Sequence, residues 1–420
     1  MAIGVPIAFS IGISALCTLM VGMTGDGLSP VTALATVAQR MATGLDSFTL
    51  LAIPFFVLAG NLMNSGGIAR RLIDFAKALV GMFPGGLAFV NIVACMLFGA
   101  ISGSAVAAAS AIGGVMHPRM TKEGYDEGFS AAVNTTSATT GMLIPPSNIL
   151  IVYSLASGGA SIAALFLAGY IPGILIGVLL MLVAGVIAYR KKYPREAAFS
   201  IKDTVRSFGQ AFFSLLLLVV VIGGIVGGIF TATEASAIAV LYTLVLGMLY
   251  GEIKLRNLPS ILLNSVGTSA IVLLLVAASM ALSWGMSFEN IPQSVTSALL
   301  SLSDNRIVVL LLINVILLAV GIFMDMTPAV LIFTPIFLPV VTELGLDPVH
   351  FGIIMILNLC IGLCTPPVGS VLFVGAAVAK LSIQQIVRPL LPLFVAMLMG
   401  LLLITYWPAL SLWLPGLFGL

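Results

Sequence analysis

Nearly uncharged stretches of about 20 residues dominate this chain, and that is the length an α-helix needs to cross the hydrocarbon of a bilayer. Full spans are expected near residues 4–24, 47–66, 128–157, 161–189, 208–229, 231–250, 258–287, 350–379 and 385–414. In lipid every backbone N–H and C=O must find its partner inside the protein. The fold class that follows is an all-α polytopic membrane protein, with the lipid bilayer as its first partner. Composition agrees: 60% of the 420 residues are hydrophobic and only 8% are charged, against about 25% charged in soluble domains. The formal net charge of +2 is spread over short loops and makes no patch for nucleic acid.

The chain starts Met-Ala-Ile-Gly-Val-Pro, with no basic segment ahead of the first apolar run and no small-residue cleavage site. Residues 4–24 are therefore read as a retained span rather than a signal peptide. Cys17, Cys95, Cys360 and Cys364 all lie in apolar stretches without His or carboxylate company, and are read as small buried hydrophobes rather than metal ligands. His117 and His350 flank loop ends at the interface and receive no role. Trp284, Trp407 and Trp413 fall near span ends and read as interfacial anchors.

Orientation follows from Lys and Arg. Arg190, Lys191, Lys192, Arg195, Lys202 and Arg206 form the densest basic cluster, so their loop is cytoplasmic. Span parity then places Arg119–Glu127 and Arg70, Arg71 and Lys77 on the same side. Loop 342–350 falls outside and has no Lys or Arg; Arg40 and Arg306 are minor exceptions.

Two apolar stretches do not read as single spans. Residues 86–117 are broken at Ser102-Gly103-Ser104, and residues 306–341 at Asp325-Met326-Thr327-Pro328. Each is expected to be a re-entrant helical hairpin with its tip at membrane depth. Broken backbone survives there only when buried in protein or facing a water-filled cavity. Segments 68–83 and 289–303, each preceding a hairpin, are amphipathic and read as helices lying at the interface.

The chain also matches itself at one fixed spacing. Pro118 and Pro339 are 221 residues apart, and so are Pro145 and Pro366, Pro146 and Pro367, Gly141 and Gly362, Gly124 and Gly345, Thr121 and Thr342, and Asp126 and Asp347. At that spacing Ser104 falls on Asp325, so the hairpin tips coincide. Five spans separate the two matching loops. Five is odd, so the second copy is inverted, the architecture of ion-coupled secondary transporters. The resulting division is 1–84, scaffold spans and first arm; 85–160, hairpin and broken helix; 161–303, scaffold spans, cytoplasmic linker and second arm; 304–382, second hairpin and broken helix; and 383–420, a C-terminal span.

Each copy has two breaks, one at the hairpin tip and one at a Pro-Pro pair in the next span. Proline frees the carbonyls of the preceding turn. The half-helix before each break ends in unpaired carbonyls, and the one after it begins with free N–H groups. Carbonyls with Ser or Thr hydroxyls suit a hard cation such as Na⁺, and N–H ends suit a carboxylate. Ordinary proline kinks are the competing explanation for one break; paired breaks in register argue against it. The cation ligands expected on this reasoning are Ser102, Ser104, Gly141, Ile144, Pro145 and Ser147 in the first copy. In the second they are Gly321, Phe323, Asp325, Thr327, Gly362, Thr365 and Pro366. Expected to face the solute are Ser102, Gly103, Ser104, Ser147, Asn148, Asp325, Thr327 and Pro367. Asp325 is the one carboxylate at a tip, where charge is expensive and usually functional. It could ligate a cation, accept a hydrogen bond from a polyol, carry a coupling proton, or cap the helix that follows. Glu234 in Thr231-Ala-Thr-Glu234 reads as part of a helix start.

Gly99-Ala-Ile-Ser-Gly-Ser-Ala-Val106, Asn134-Thr-Thr-Ser137 through Ile144-Pro-Pro-Ser147, Gly321-Ile-Phe-Met-Asp-Met326 and Cys364-Thr-Pro-Pro-Val-Gly369 resemble the large membrane subunit of tripartite ATP-independent periplasmic (TRAP) transporters. The resemblance covers nearly all of the chain. It implies an elevator-type carrier of the ion transporter superfamily kind in a bacterial inner membrane, and no enzyme. It further implies coupling to Na⁺, a small four-span membrane subunit, and a soluble periplasmic protein that delivers an organic anion such as a sialic acid or a C4-dicarboxylate. The family's two hairpin-associated Na⁺ sites fall on Ser102–Ser104 with Gly141–Ser147, and on Gly321–Thr327 with Thr365–Pro367. A stand-alone divalent-anion:Na⁺ symporter, needing no binding protein, is the rival reading; a channel or scaffold subunit is a third.

Overall fold

The computed structural model describes residues 5–194, 201–303 and 305–420, with the backbone alone for 201–204. In chain order the helices are α1 (Ile7–Gly25), α2 (Pro30–Leu45), α3 (Ala52–Ser65), α4 (Ile68–Val80), α5 (Gly86–Ser102), α6 (Ala105–Lys122), α7 (Glu127–Thr140), α8 (Asn148–Ala156) and α9 (Ile162–Lys191). They continue as α10 (Ile201–Val226), α11 (Ala232–Leu249), α12 (Leu258–Phe288), α13 (Ile291–Leu302), α14 (Arg306–Phe323), α15 (Met326–Glu343), α16 (Pro348–Gly362), α17 (Ser370–Ala379), α18 (Ile383–Tyr406) and α19 (Ala409–Leu417). Among the described residues, nine helices are long and apolar enough to cross a membrane.

Several expectations need correcting. Helix α2 was not foreseen: Ser29 caps it by accepting from the Thr32 N–H at 3.2 Å, and Pro30 opens it. The C-terminal span is two helices, because Pro408 lacks the N–H that would continue α18. Cys17 is exposed on α1, whereas the other three cysteines are buried as expected. Both histidines, near helix ends as expected, are buried in the protein: His117 Nδ1 lies 3.1 Å from Ser130 Oγ, and His350 Nε2 lies 3.4 Å from the Thr405 carbonyl. Arg40 sits over the Trp284 ring at 4.9 Å, a cation–π contact that gives this arginine, expected outside, a partner. Of the basic cluster, Arg195 lies outside the described residues.

The 221-residue spacing reappears as geometry. Asp126 and Asp347 cap α7 and α16 through their carboxylates, accepting from Phe129 N–H at 2.8 Å and Val349 N–H at 2.7 Å. Ser161 and Ser382 occupy the cap positions of α9 and α18. Ser104 and Asp325 do so for α6 and α15. Glu234 closes a capping box with Thr231 at the start of α11. Glycine marks the close approaches. A Cβ on Gly141 would lie 2.5 Å from Gly99 Cα, and one on Gly362 would lie 2.6 Å from Gly321 Cα. Backbone therefore touches backbone where each hairpin's first arm passes the break of the next helix.

Within each copy the hairpin arms pack on the broken helix: α5 and α6 on α7, α14 and α15 on α16. The arms are 17 or 18 residues long, about 26 Å at 1.5 Å per residue. Across copies the partners are exchanged. Helix α8 packs on α15 and α17 on α6; α1 packs on α12, and its counterpart α11 packs on α3. This crossing is what a twofold relation between the copies produces. One hydrogen bond carries it directly: the buried Tyr153 hydroxyl of α8 donates to the Pro348 carbonyl at the start of α16, at 2.6 Å. On the expected cytoplasmic side, Lys191 Nζ lies 4.0 Å from the Asp126 carboxylate and Tyr193 stacks on Tyr125. The 119–127 and 190–194 segments thus meet on one face, as the basic-residue distribution requires.

Candidate functional site

The first hairpin turns at Gly103, in the left-handed region at φ +61, with its N–H donating to the Gly99 carbonyl at 2.9 Å. A Cβ there would come within 2.8 Å of Asn148 Nδ2, so glycine lets the start of α8 close on the tip. Ser104 then caps α6, its Oγ accepting from Ala107 N–H at 3.2 Å. At the second tip Asp325 holds the equivalent backbone position, extended at φ −70, ψ 161, yet makes no side-chain capping bond to α15. Its carboxylate is left facing the space between the tips.

That space is a cavity of about 280 Å³ lined from both copies. The first tip contributes Ser102, Gly103, Ser104 and the first turn of α6; the second contributes Asp325, Met326 and Thr327. Asn148, Ile149 and Val152 of α8 form one wall, with Met142 and Leu363 from the two breaks. Asn61 and Asn64 of α3 and Thr268 of α12 face them. Asn61 also donates to Ser265 Oγ at 2.8 Å. The size lies at the lower end of small-molecule sites, which run from about 300 Å³. No Lys, Arg or His is among the described lining residues. An anion here would meet the N–H groups of α6 and α15 instead.

The structure thus gathers Ser102, Gly103, Ser104, Asn148, Asp325 and Thr327 into one cavity. Ser147 is fully buried beside it, while Pro367 is exposed and off the lining. Gly141 and Gly362 serve the close backbone crossings described above. Ile144, Pro145 and Pro366 lie in the breaks; both Pro–Pro bonds are cis. The Phe323 side chain is exposed, and the Thr365 hydroxyl donates to the Ile361 carbonyl at 2.8 Å. Sequence reasoning missed Asn61, Asn64 and Thr268, which sit in spans with no break to flag them. It also missed Ser370. Ser147 Oγ and Ser370 Oγ are both buried, both follow a Pro-Pro break, and neither has a hydrogen-bond partner among the described residues. Stranded hydroxyl oxygens beside freed carbonyls are the donor chemistry a hard cation takes, so Na⁺ fits these residues.

An all-helical membrane protein of two exchanged copies, with broken helices around a central cavity, is a transporter architecture. The chain aligns over residues 1–410 with the model of the tripartite ATP-independent periplasmic transporter, DctM component, and belongs to that family. It is 57% identical over its whole length to the uncharacterized protein YgiK of Salmonella typhimurium, covering 95% of it. It is 39% identical to the C4-dicarboxylate TRAP transporter large permease protein DctM of Rhodobacter capsulatus, covering all of this chain and 97% of that one. With the sialic acid TRAP transporter large permease protein SiaM of Vibrio cholerae the figures are 41%, 99% and 96%. The crystal structure of the Alcanivorax borkumensis YdaH transporter shares the fold, with a TM-score of 0.67 at 14% identity over 90% of this chain and 88% of that one.

Proposed function

We propose that this large permease imports a small organic anion by Na⁺ symport, with an elevator motion, in a bacterial inner membrane. The observation that carries the reading is the single cavity lined by the hairpin tip of each copy. Ser102, Ser104, Ser147 and the carbonyls around Gly141–Pro145 would hold one Na⁺. Asp325, Thr327, the Phe323 carbonyl, Thr365 and the neighbouring Ser370 would hold the other. Bound Na⁺ supplies positive charge close to the solute's carboxylate. The chain's own part is to hold the tips together around the solute, orient the carboxylate on the N-termini of α6 and α15, and exclude water.

The moving unit in this scheme is 85–160 with 304–382, carried past the remaining helices on the arms α4 and α13. A periplasmic binding protein delivers the solute and a small four-span membrane subunit completes the scaffold. The names of the relatives make C4-dicarboxylates and sialic acids the first candidates. The test is uptake of such acids into proteoliposomes containing this chain, its small membrane subunit and the cognate binding protein. Uptake should require inward-directed Na⁺ and the binding protein, and no ATP. Equal uptake with choline in place of Na⁺ would overturn the coupling. Uptake without the binding protein would favour a stand-alone symporter.

A further inference from the structure

A second cavity, about 710 Å³, adjoins the first, and Asn64 lines both. It lies between the start of α4, the middle of α6 (Ala111, Val115), α10 (Gly209, Gln210, Phe213) and the Tyr250–Glu252 segment after α11. Its position on the arm with Arg70 and Arg71 places it on the cytoplasmic side by the distribution of basic residues. The hairpin-tip cavity holds no cationic side chain; this one holds two.

The two arginines differ in what they already touch. Arg71 is committed. Its Nη1 donates to the Gly67 carbonyl at 3.1 Å and the Gly66 carbonyl at 3.4 Å, and its guanidinium lies 3.7 Å over the Tyr250 ring. Glu252 stands against the same Gly67, so a carboxylate shares this corner with Arg71. Arg70 is exposed and makes no ion pair or hydrogen bond among the described residues. Asp74, one turn further along α4, also lines the space.

We propose that the solute leaves the hairpin-tip cavity past Asn64 into this vestibule, and that the Arg70 guanidinium receives its carboxylate there before it enters the cytoplasm. Asp74 and Gln210 stand where they could accept from or donate to the solute's hydroxyls. That the solute is an organic anion rests on the proposed function; the route and its charge preference do not. A fixed cation on the release side draws an anion away from the tips once the coupling cation has gone.

The test needs neither transport nor Na⁺, so its failure is distinct from failure of the symport reading. With Cys17→Ser, the remaining native thiols are buried. Asn64→Cys is then exposed, in phosphatidylcholine vesicles of known sidedness, to the anionic ethylsulfonate or the cationic trimethylammonium methanethiosulfonate. Labelling from the cytoplasmic side is expected. Arg70→Gln should slow the anionic reagent relative to the cationic one by roughly threefold to tenfold, the low end for charge focusing because acidic groups stand beside it. Asp74→Asn should shift the ratio the other way. Labelling only from the outer side, or a ratio unmoved by Arg70→Gln, overturns the proposal. So does loss of the Arg70 effect when phosphatidylglycerol is added, which would assign the guanidinium to a lipid headgroup. If Asn64→Cys does not insert, Gln210→Cys reads the same vestibule with the same outcomes.

Discussion

The two copies of the repeat share a backbone plan and differ in what hangs on it. Both place a cap residue at the hairpin tip, an aspartate cap before the broken helix, and a glycine crossing at the break. In the first copy the tip residue Ser104 spends its hydroxyl on capping its own helix; in the second Asp325 makes no such capping bond and lines the cavity. The buried polar links between hairpin and broken helix also differ. In the first copy the second arm is tied directly, Asn134 donating to the Ala109 carbonyl at 2.8 Å and His117 Nδ1 lying 3.1 Å from Ser130 Oγ, while the first arm is tied through a thiol: Cys95 Sγ lies 3.7 Å from Asn91 Oδ1 and 3.8 Å from Asn134 Oδ1. In the second, Asn358 donates to Asn314 Oδ1 at 2.7 Å, and Asn314 donates to Thr405 Oγ1 at 3.1 Å. The lesson is a division of labour: shared positions shape the chain, and the positions that diverged carry the chemistry.

The largest effect that bears on this comparison is expected at Asp325. Asp325→Asn keeps a residue able to cap a helix but removes the charge, and should reduce uptake at least about tenfold while the protein still inserts and purifies. Normal uptake would erase the chemical distinction between the tips. Next come the glycine crossings. Gly141→Ala and Gly362→Ala each force backbone apart and should each destabilise by about 1–3 kcal/mol, read as a lower unfolding midpoint in detergent. A loss at one site only would break the structural equivalence of the copies. Asn314→Ala strands the Asn358 amide and should cost about 1–3 kcal/mol. Asn91→Ala removes only a thiol contact and should cost no more than about 0.6 kcal/mol, the average interhelical hydrogen bond in a membrane. Equal losses would show the two links to be equivalent after all. Ser104→Ala belongs with these small effects. Losing one cap should cost about 1 kcal/mol, and on the symport reading it should raise the Na⁺ concentration for half-maximal uptake. A stability loss with unchanged Na⁺ dependence would leave Ser104 a cap alone.

The repeat was legible because Pro, Gly and Asp at turns and caps are dictated by local backbone geometry, which a sequence records position by position. The hairpin tips were legible for the same reason. Ser370 escaped because it lies one residue past the place the fixed spacing gives for Asn148, and a rigid offset cannot see a single-residue slip. Asn61, Asn64 and Thr268 escaped because a polar residue in an unbroken span says nothing about which helix faces it; that is set by tertiary packing. Helix α2 is too short and too polar to read as a span, and only its Ser29-Pro30 start announces it. Neither the exchange of partners between copies nor the route past Asn64 has any local sequence correlate.

That exchange bears on how the protein is made. Helix α8 leaves the ribosome with a polar break behind it and only α3 and the turn before it to rest on, for its main partner α15 begins at Met326. At bacterial elongation rates of about 5–20 residues per second, the wait is roughly 10–40 s. During it the nascent N-terminal half must keep unpaired carbonyls and the Ser147 hydroxyl away from lipid, with insertion machinery or neighbouring spans as temporary cover. Synthesis delivers the first half as a client for quality control and only the second half closes it, so truncated chains ending before α15 should be degraded rather than accumulate as stable fragments.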